Sequence, residues 1–498
     1  MALLVNKLRL GELVKVSVRY KNGPNHWSVL RKKKTAKDKA LQHFDEFYGS
    51  VYGDNWQVIR AALLKEESKY IAVVNNFSDT ERIKSDLELL GAFNLKVLYN
   101  VFNETIAHSP KSETIETKND QSSIDTFISN IKSTEVESIY PADHEHVPKE
   151  LTSEENEELI TTQKPLQSIQ LQSINKDLNE VAIETNRIID SSKNLSLLHE
   201  YIPATKIKGL DDWVLESNHY DFYNKAPEFK VHIVKEYVLS FPKHLHAYTF
   251  EAESKVRFPN PKRGTTGVLD YYLFDGGSIL PILALDLQLG DIVLDMCAAP
   301  GGKALTILQT LLPKVVVAND KVESRVNRIN NVMEQYVLNL CDEQSLFVTE
   351  QDARAIDEKD IYNKILVDVP CTTDRHVLHS DENNMFKPSR LKERLQIPEL
   401  QSEILTNALK LVSVGGIVVY ATCSLSPIQN DGVVHVALKK AWEESDSVMI
   451  VKDMTEALSP LKCIYRFGDI DLKYGHIVVP SLGSNWGPMY FCKIVRVR

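Results

Sequence analysis

Five short apolar runs recur between residue 292 and residue 420, and each closes in a polar residue. Ile292-Val293-Leu294 ends in Asp295, and Val315 to Ala318 ends in Asn319-Asp320. Leu346-Phe347-Val348 ends near Asp352, Ile365-Leu366-Val367 in Asp368, and Ile417 to Tyr420 in Thr422-Cys423. Stretches of helical length separate them. Apolar strands alternating with helices predict an α/β domain whose parallel sheet is covered on both faces. Such sheets bind ligands at the carboxyl ends of their strands, where these polar residues stand. Val448–Val451, Ile477–Val479 and Met489–Val497 are further strand candidates.

The turn after the first run reads DMCAAPGGK, Asp295 to Lys303. Ala298, Ala299, Gly301 and Gly302 are small enough for backbone to approach a ligand closely. Asp320 closes the next strand 18 positions after Gly302, where a carboxylate can accept hydrogen bonds from two ribose hydroxyls. Asp352 closes the third strand, within reach of an adenine amino group. GxGxxG spacing is absent, Pro300 interrupts the place a pyrophosphate would occupy, and no GxxxxGK[ST] occurs there. A nucleoside cofactor without pyrophosphate points to S-adenosylmethionine. The plainer alternative is a tight turn of any α/β domain, and acidic residues closing three successive strands weigh against it.

Two cysteines also stand at strand ends, Cys371 in Asp368-Val369-Pro370-Cys371 and Cys423 in Thr422-Cys423-Ser424. If the fourth and fifth strands are neighbours, ~4.8 Å apart, both thiols and Asp368 open onto one crevice. Carbon 5 of cytosine is a poor nucleophile, and a thiolate adding to carbon 6 makes it one. A carboxylate on the amino group and ring nitrogen stabilises the charge that develops, and a base must then remove the carbon 5 proton. Two thiols and an aspartate match that scheme. Cys341, Cys463 and Cys492 read as buried small hydrophobes, as isolated cysteines usually are. With six scattered cysteines and no CxxC pair, neither a disulfide framework nor a zinc ribbon is expected, and no metal site is assigned.

The rest of the chain is organised by charge. Residues 1–39 hold eleven basic side chains against Glu12 and Asp38. This acid-poor, weakly amphipathic stretch reads as a mitochondrial transit segment over residues 1–40; a basic RNA-touching arm is the alternative. Residues 41–102 carry Phe44, Phe47, Tyr48, Tyr52 and Trp56 near helical spacing and read as a small folded region packed on the catalytic domain. Tyr70–Val74 reads as a short strand or a helix end. Between 111 and 160, thirteen acidic residues face four lysines, so residues 103–200 read as a largely disordered acidic insertion. His144-Glu145-His146 within it is a chance solvated pair. Residues 201–267 read as a connecting region and 268–498 as the catalytic domain. Phe258, Lys262 and Arg263, and Lys387, Arg390, Lys392 and Arg394, are two clusters that could touch phosphate. No apolar run approaches the ~20 residues of a spanning helix, so no membrane association is expected.

DMCAAPGGK, LVDVPCTTDRH and YATCSLSPIQN, in that order, resemble the Nop/Sun family of RNA cytosine-5 methyltransferases. CTTDRH at 371–376, HFDEFY at 43–48, VVNNF at 73–77 and NWGPMYFCKI at 485–494 are similar to its mitochondrial ribosomal-RNA branch. The similarity spans roughly residues 41–100 and 245–498. It implies a Rossmann-like class I S-adenosylmethionine-dependent methyltransferase sheet with a small N-terminal extension. It implies Cys423 as the nucleophile, Cys371 as the residue assisting proton removal and release, and Asp368 as the group holding cytosine beside the methyl donor. Cys297, Ala298, Ala299, Pro300, Gly301, Gly302, Lys303, Asp320, Arg325, Asp352 and Asp368 would bind S-adenosylmethionine. Ala353 departs from the glycine that often follows this aspartate and is left out of the site. The implied substrate is small-subunit ribosomal RNA in the mitochondrial matrix, with a role in ribosome assembly. The implied partner belongs to the mitochondrial transcription-termination-factor family. A transfer-RNA methyltransferase and an assembly factor with secondary catalysis remain open. A DNA cytosine-5 enzyme uses the Pro-Cys thiol as its nucleophile and needs no Thr-Cys thiol.

Overall fold

A computed structural model describes residues 34–67, 69–108, 231–338, 345–445, 447–468, 470 and 472–498. The basic N-terminal segment up to residue 33, nearly all of the acidic insertion with His144 and His146, and Cys341 lie outside the described residues.

Among the described residues the strands are β1 (Tyr70–Val74), β2 (Phe93–Asn94), β3 (His232–Lys235), β4 (Ala247–Thr249), β5 (Tyr271–Asp275), β6 (Ile292–Asp295), β7 (Val315–Asn319), β8 (Leu346–Thr349), β9 (Tyr362–Asp368), β10 (Val412–Thr422), β11 (Met449–Asp453), β12 (His476–Val478) and β13 (Met489–Arg496). The helices are α1 (Ala36–Tyr52), α2 (Asn55–Leu64), α3 (Thr80–Leu89), α4 (Leu95–His108), α5 (Ile279–Ala284), α6 (Gly302–Gln309), α7 (Glu323–Tyr336), α8 (Asp374–His379), α9 (Leu391–Leu411), α10 (Val433–Glu444) and α11 (Thr455–Leu458).

Nine strands form the main sheet in the order β8-β7-β6-β9-β10-β13-β11-β3, with β12 on β13. All five apolar runs of the sequence are in it. β6 pairs in parallel with β7 and β9, β7 with β8, and β9 with β10. β13 enters antiparallel between β10 and β11. The central strands bury both faces: Val293, Leu294, Ile365, Leu366, Val367, Val418, Val419 and Tyr420 are all fully buried. That is why these strands read as unbroken apolar runs rather than alternating ones.

A second sheet, β2-β4-β1-β5, is antiparallel throughout. Tyr70–Val74 is thus a strand, with Ala72 opposite Tyr248 on one side and Leu273 on the other. The two sheets share residues on either side of the expected boundary at 267/268. β4 belongs to the small sheet together with β5, and β3 pairs with β11 in the main sheet. Residues 231–267 therefore supply strands to both sheets. The VVNNF motif fastens one sheet to the other. Asn75 donates to the Leu269 and Tyr336 carbonyls at 2.7 and 2.8 Å and accepts from Gln309 at the end of α6 at 2.9 Å.

The aromatic N-terminal run forms α1 and α2. A Thr35–Asp38 capping box starts α1 and satisfies its first amides. Phe44, Phe47, Tyr48, Tyr52 and Trp56 are buried in one cluster with residues of β9, β10 and α9, so these aromatics are core. Phe258 is half-buried against the small sheet, its ring 4.5 Å from Phe250 and 6.2 Å from Tyr271. Lys262 and Arg263, the basic residues of its cluster in the sequence, are exposed. In the second cluster, Arg390 is ion-paired with Glu393, and Arg394 stacks at 4.3 Å over Phe386. Among the described residues, no helix is long and apolar enough to cross a membrane.

Candidate functional site

The site is assembled at the carboxyl ends of β6, β7, β9 and β10. β9 and β10 are adjacent and in register, with Val367 opposite Tyr420 and Asp368 opposite Ala421. The condition for bringing the two thiols together is therefore met. The Cys371 and Cys423 sulfurs face each other at 3.1 Å, as free thiols. The hydrogen bond with Cys371, then burial, push the Cys423 thiol well above its ordinary pKa, with Lys303 pulling the other way. Cys423 rests as a neutral thiol.

Lys303, from the first turn of α6, reaches the Asp368 carboxylate with Nζ 2.7 Å from Oδ2. Burial opposes the lysine's charge, but Asp368 more than compensates and its pKa rises. Asp295 at the end of β6 is fully buried, and neither of its oxygens makes a well-formed hydrogen bond. Burial, reinforced by Asp368, raises its pKa to about 8, with Lys303 and the Cys297 amide pulling it only partly back. A buried acid without a partner is uncommon enough to require an explanation.

The two glycines of the turn have separate reasons. Gly301 has φ of 107°, which a side chain would strain. At Gly302 a β-carbon would come within 2.8 Å of the Tyr272 ring. Cys297 and Ala298 are buried beneath the turn, and burial raises the Cys297 thiol well above its usual pKa, so its place is in the packing. Asp320 is 4% exposed and its carboxylate accepts from Arg325 Nε at 3.0 Å. Arg325 also donates to the Ala299 carbonyl at 3.3 Å, so it braces the turn as well as the acid. Asp352 is held by Arg354 and Lys321, both at 2.8 Å, and its pKa lies far below the carboxylate range because of the Arg354 hydrogen bonds. Ala353 is buried. The turn, Asp295 and Asp320 together fit a nucleoside cofactor: a buried acid without a well-formed hydrogen bond opens the turn, a second buried acid closes the next strand, and the backbone carries no obstructing side chain at Gly301.

Sequence reasoning left Asp374 unassigned. It is the first residue of α8 and fully buried. Its carboxylate accepts from Thr372 Oγ1 at 2.5 Å, Tyr48 OH at 2.7 Å, the Leu425 amide at 2.7 Å and Ser424 Oγ at 3.1 Å. The next residue, Arg375, donates to the Gly487 carbonyl at 2.8 Å and to Asn485 Oδ1 at 2.9 Å. Thus the CTTDRH, HFDEFY and NWGPMYFCKI motifs meet in one place. The signal in the sequence was that these strings occur together; nothing in it said that they touch.

A family model described as 16S rRNA methyltransferase RsmB/F matches residues 282–459, which span β6 to α11. A 5-cytosine rRNA methyltransferase of Caenorhabditis elegans is 32% identical over 479 residues, covering 93% of each chain. That of Xenopus laevis is 32% identical over 475 residues, covering 95% of this chain and 93% of its own. A mitochondrial tRNA (cytosine(34)-C(5))-methyltransferase of Danio rerio is 38% identical over 244 residues, covering 49% of this chain and 65% of its own.

Proposed function

This chain belongs to the Nop/Sun, or RsmB/F, family of RNA cytosine-5 methyltransferases, and we propose that it methylates carbon 5 of a cytosine in mitochondrial small-subunit ribosomal RNA through a covalent Cys423–cytosine adduct. The enzyme is S-adenosylmethionine-dependent, and the cofactor supplies an electrophilic methyl group. The turn from Cys297 to Lys303, with Asp320, Arg325, Asp352 and Asp368, would hold it.

The observation that carries the mechanism is the pair of free thiols at 3.1 Å beside the Lys303–Asp368 ion pair. Cys423 gives up its proton to a deprotonated Cys371, which releases it to solvent, as the Cys423 sulfur bonds carbon 6 and the ring double-bond electrons move toward carbon 5. Lys303 engages Oδ2 of Asp368, and the carboxylate holds the cytosine amino group and steadies the charge of addition. After carbon 5 has been methylated, Cys371 takes its proton. The double bond re-forms and the carbon 6–sulfur bond breaks. Cys371 hands the carbon 5 proton to the departing Cys423 sulfur, so one proton leaves the site per turnover, the one that Cys423 released on addition.

Similarity over nearly the whole length of ribosomal-RNA enzymes supports that substrate. Similarity over half the chain to a transfer-RNA enzyme supports a second reading. The basic composition of residues 1–39 supports import into mitochondria, and a transcription-termination-factor partner, implied by the family resemblance, would act with the enzyme in ribosome assembly.

Replacing each thiol tests the mechanism. Cys423→Ala should form no covalent enzyme–RNA adduct and transfer no methyl group. Cys371→Ala should accumulate an adduct that nuclease collapses. The reverse pattern would exchange the two roles. Mapping 5-methylcytosine in mitochondrial RNA with and without the protein tests the substrate. A lost mark in a transfer RNA, with the ribosomal mark intact, would favour the second reading.

A further inference from the structure

The two thiols come from separate loops, one after β9 and one after β10. A main-chain ladder fixes the strands as far as Asp368 and Ala421 or Thr422, but the cysteines lie beyond it. Something else must set the distance between them. Pairwise strand spacing near 4.8 Å does not by itself bring two sulfurs to 3.1 Å.

We propose that Asp374 is a positioning residue whose buried carboxylate ties the residue after Cys371 and the two residues after Cys423 to one point, and so sets the separation of the thiols. This rests on the assignment of Cys371 and Cys423 to one catalytic cycle. Thr372 follows Cys371 and donates to Oδ1; Ser424 and Leu425 follow Cys423, and Leu425 donates its amide to Oδ2. The two loops also meet directly, with Thr372 Oγ1 and Ser424 Oγ 3.1 Å apart. Gln429 completes the cage by donating to Thr372 Oγ1 at 3.1 Å and accepting from the Thr372 amide at 3.2 Å. Tyr48 of α1 caps Oδ2, and Tyr52 donates to the Leu425 carbonyl at 2.9 Å. The N-terminal helix is thereby fastened to the nucleophile's loop.

The donors favour the anion, against burial, which raises the pKa of this carboxyl. Two hydroxyls, an amide and the Ser424 hydroxyl all point hydrogens at this carboxylate, and an ionised carboxylate only accepts. An asparagine of the same shape would turn two N–H groups toward donors. Asp374→Asn is therefore a change of bonding with little change of volume. Tyr48→Phe removes one bond and leaves the ring in its packing.

The test measures the thiols themselves as well as turnover. Diamide oxidises neighbouring thiols: two sulfurs lose two protons and two electrons to its nitrogen–nitrogen double bond, giving a disulfide and a hydrazine. No RNA or methyl donor takes part. In the wild-type protein a Cys371–Cys423 disulfide, mapped by peptide mass spectrometry, should form quickly. Asp374→Asn should slow it at least roughly 10-fold and lower kcat roughly 10- to 100-fold, the scale expected when a reacting group is displaced by about 1 Å. KM for RNA and for S-adenosylmethionine should stay within about twofold, because the groups proposed to bind them are untouched. Tyr48→Phe, which keeps three of the four donors, should fall between the two and remain readable even if Asp374→Asn does not fold. Unchanged disulfide formation in folded Asp374→Asn, or in Tyr48→Phe where only that variant folds, would overturn the proposal, whatever the activity. Slow disulfide formation with full turnover would leave Asp374 setting the thiol distance and would overturn the catalytic pairing of the thiols instead.

Discussion

Asp295 gives the sharpest quantitative test of the site's electrostatics. It is fully buried, it lacks a well-formed hydrogen bond, and its pKa is raised to about 8, first by burial and then by Asp368. An unfolded aspartate titrates near ~3.9. Between those two values the folded state binds the proton and the unfolded state does not, so stability falls as pH rises through this window. Above pH 8 the loss is complete, on the order of 5 kcal/mol for a shift of about four units. Between pH 6 and pH 8 the same relation gives about 2 kcal/mol. Asp295→Asn keeps the shape and removes the titration. At pH 6 the folded side chain is neutral but the unfolded one is ionised, so the variant should already be more stable than wild type by about 3 kcal/mol. By pH 8 that advantage should have grown by about a further 2 kcal/mol, to about 5 kcal/mol. Urea unfolding followed by tryptophan fluorescence at pH 6, 7 and 8 measures the difference, in which other titrating groups cancel. Parallel pH profiles would refute the reasoning and mean that Asp295 is ionised and compensated at neutral pH.

Other consequences are more direct. Asp320→Ala should weaken S-adenosylmethionine binding by about 1.5–3 kcal/mol, the scale of hydrogen bonds to a charged group, as read by calorimetry. Lys303→Met leaves Asp368 and Asp295 without their cation and should destabilise the fold by about 3 kcal/mol at pH 8, the low end for a broken buried pair because Asp368 is partly exposed. That loss should shrink toward pH 5, where Asp295, its pKa raised to about 8, is protonated. A reporter fused to residues 1–40 should enter mitochondria in cells imaged by fluorescence, and a diffuse signal would count against import.

The main sheet was legible in the sequence because its strands are buried on both faces, which leaves continuous apolar runs such as Ile365-Leu366-Val367. The positions of Cys371 and Cys423 followed from β9 and β10 being neighbours. The small sheet was not legible. β1 pairs with residues 247–249 and 271–275, across the long acidic stretch, and β2 and β4 have only two and three residues. β3 was hidden for another reason: all four of its residues are exposed, so it lacks both alternation and an apolar run. Asp374 was invisible because each of its partners is set by tertiary structure. Tyr48 lies 326 positions away and Ser424 fifty. The sequence carried the three motifs, but a string has no way to say that Tyr48, Asp374 and Asn485 occupy one neighbourhood.

The charges at the strand ends bear on how substrate and cofactor are accommodated together. Asp295, Asp320, Asp352 and Asp368 close β6, β7, β8 and β9 or their following turns, a concentration of acid unsuited to a polyanion. Arg354 and Lys321 neutralise Asp352, Arg325 balances Asp320, and Lys303 is left to serve both Asp368 and Asp295. With Asp295 largely protonated at neutral pH, each of the other three acids has a cationic partner, so the crevice is close to charge-balanced before its ligands enter. In the proposed mechanism the target base enters at the β9–β10 edge, where Lys303, Asp368 and the thiols stand. Cys423 rests there as a neutral thiol. Its activation thus depends on positive charge arriving in the crevice and on Cys371 being held within proton-transfer distance. The first links nucleophile and methyl donor electrostatically; the second is the task that Asp374 performs.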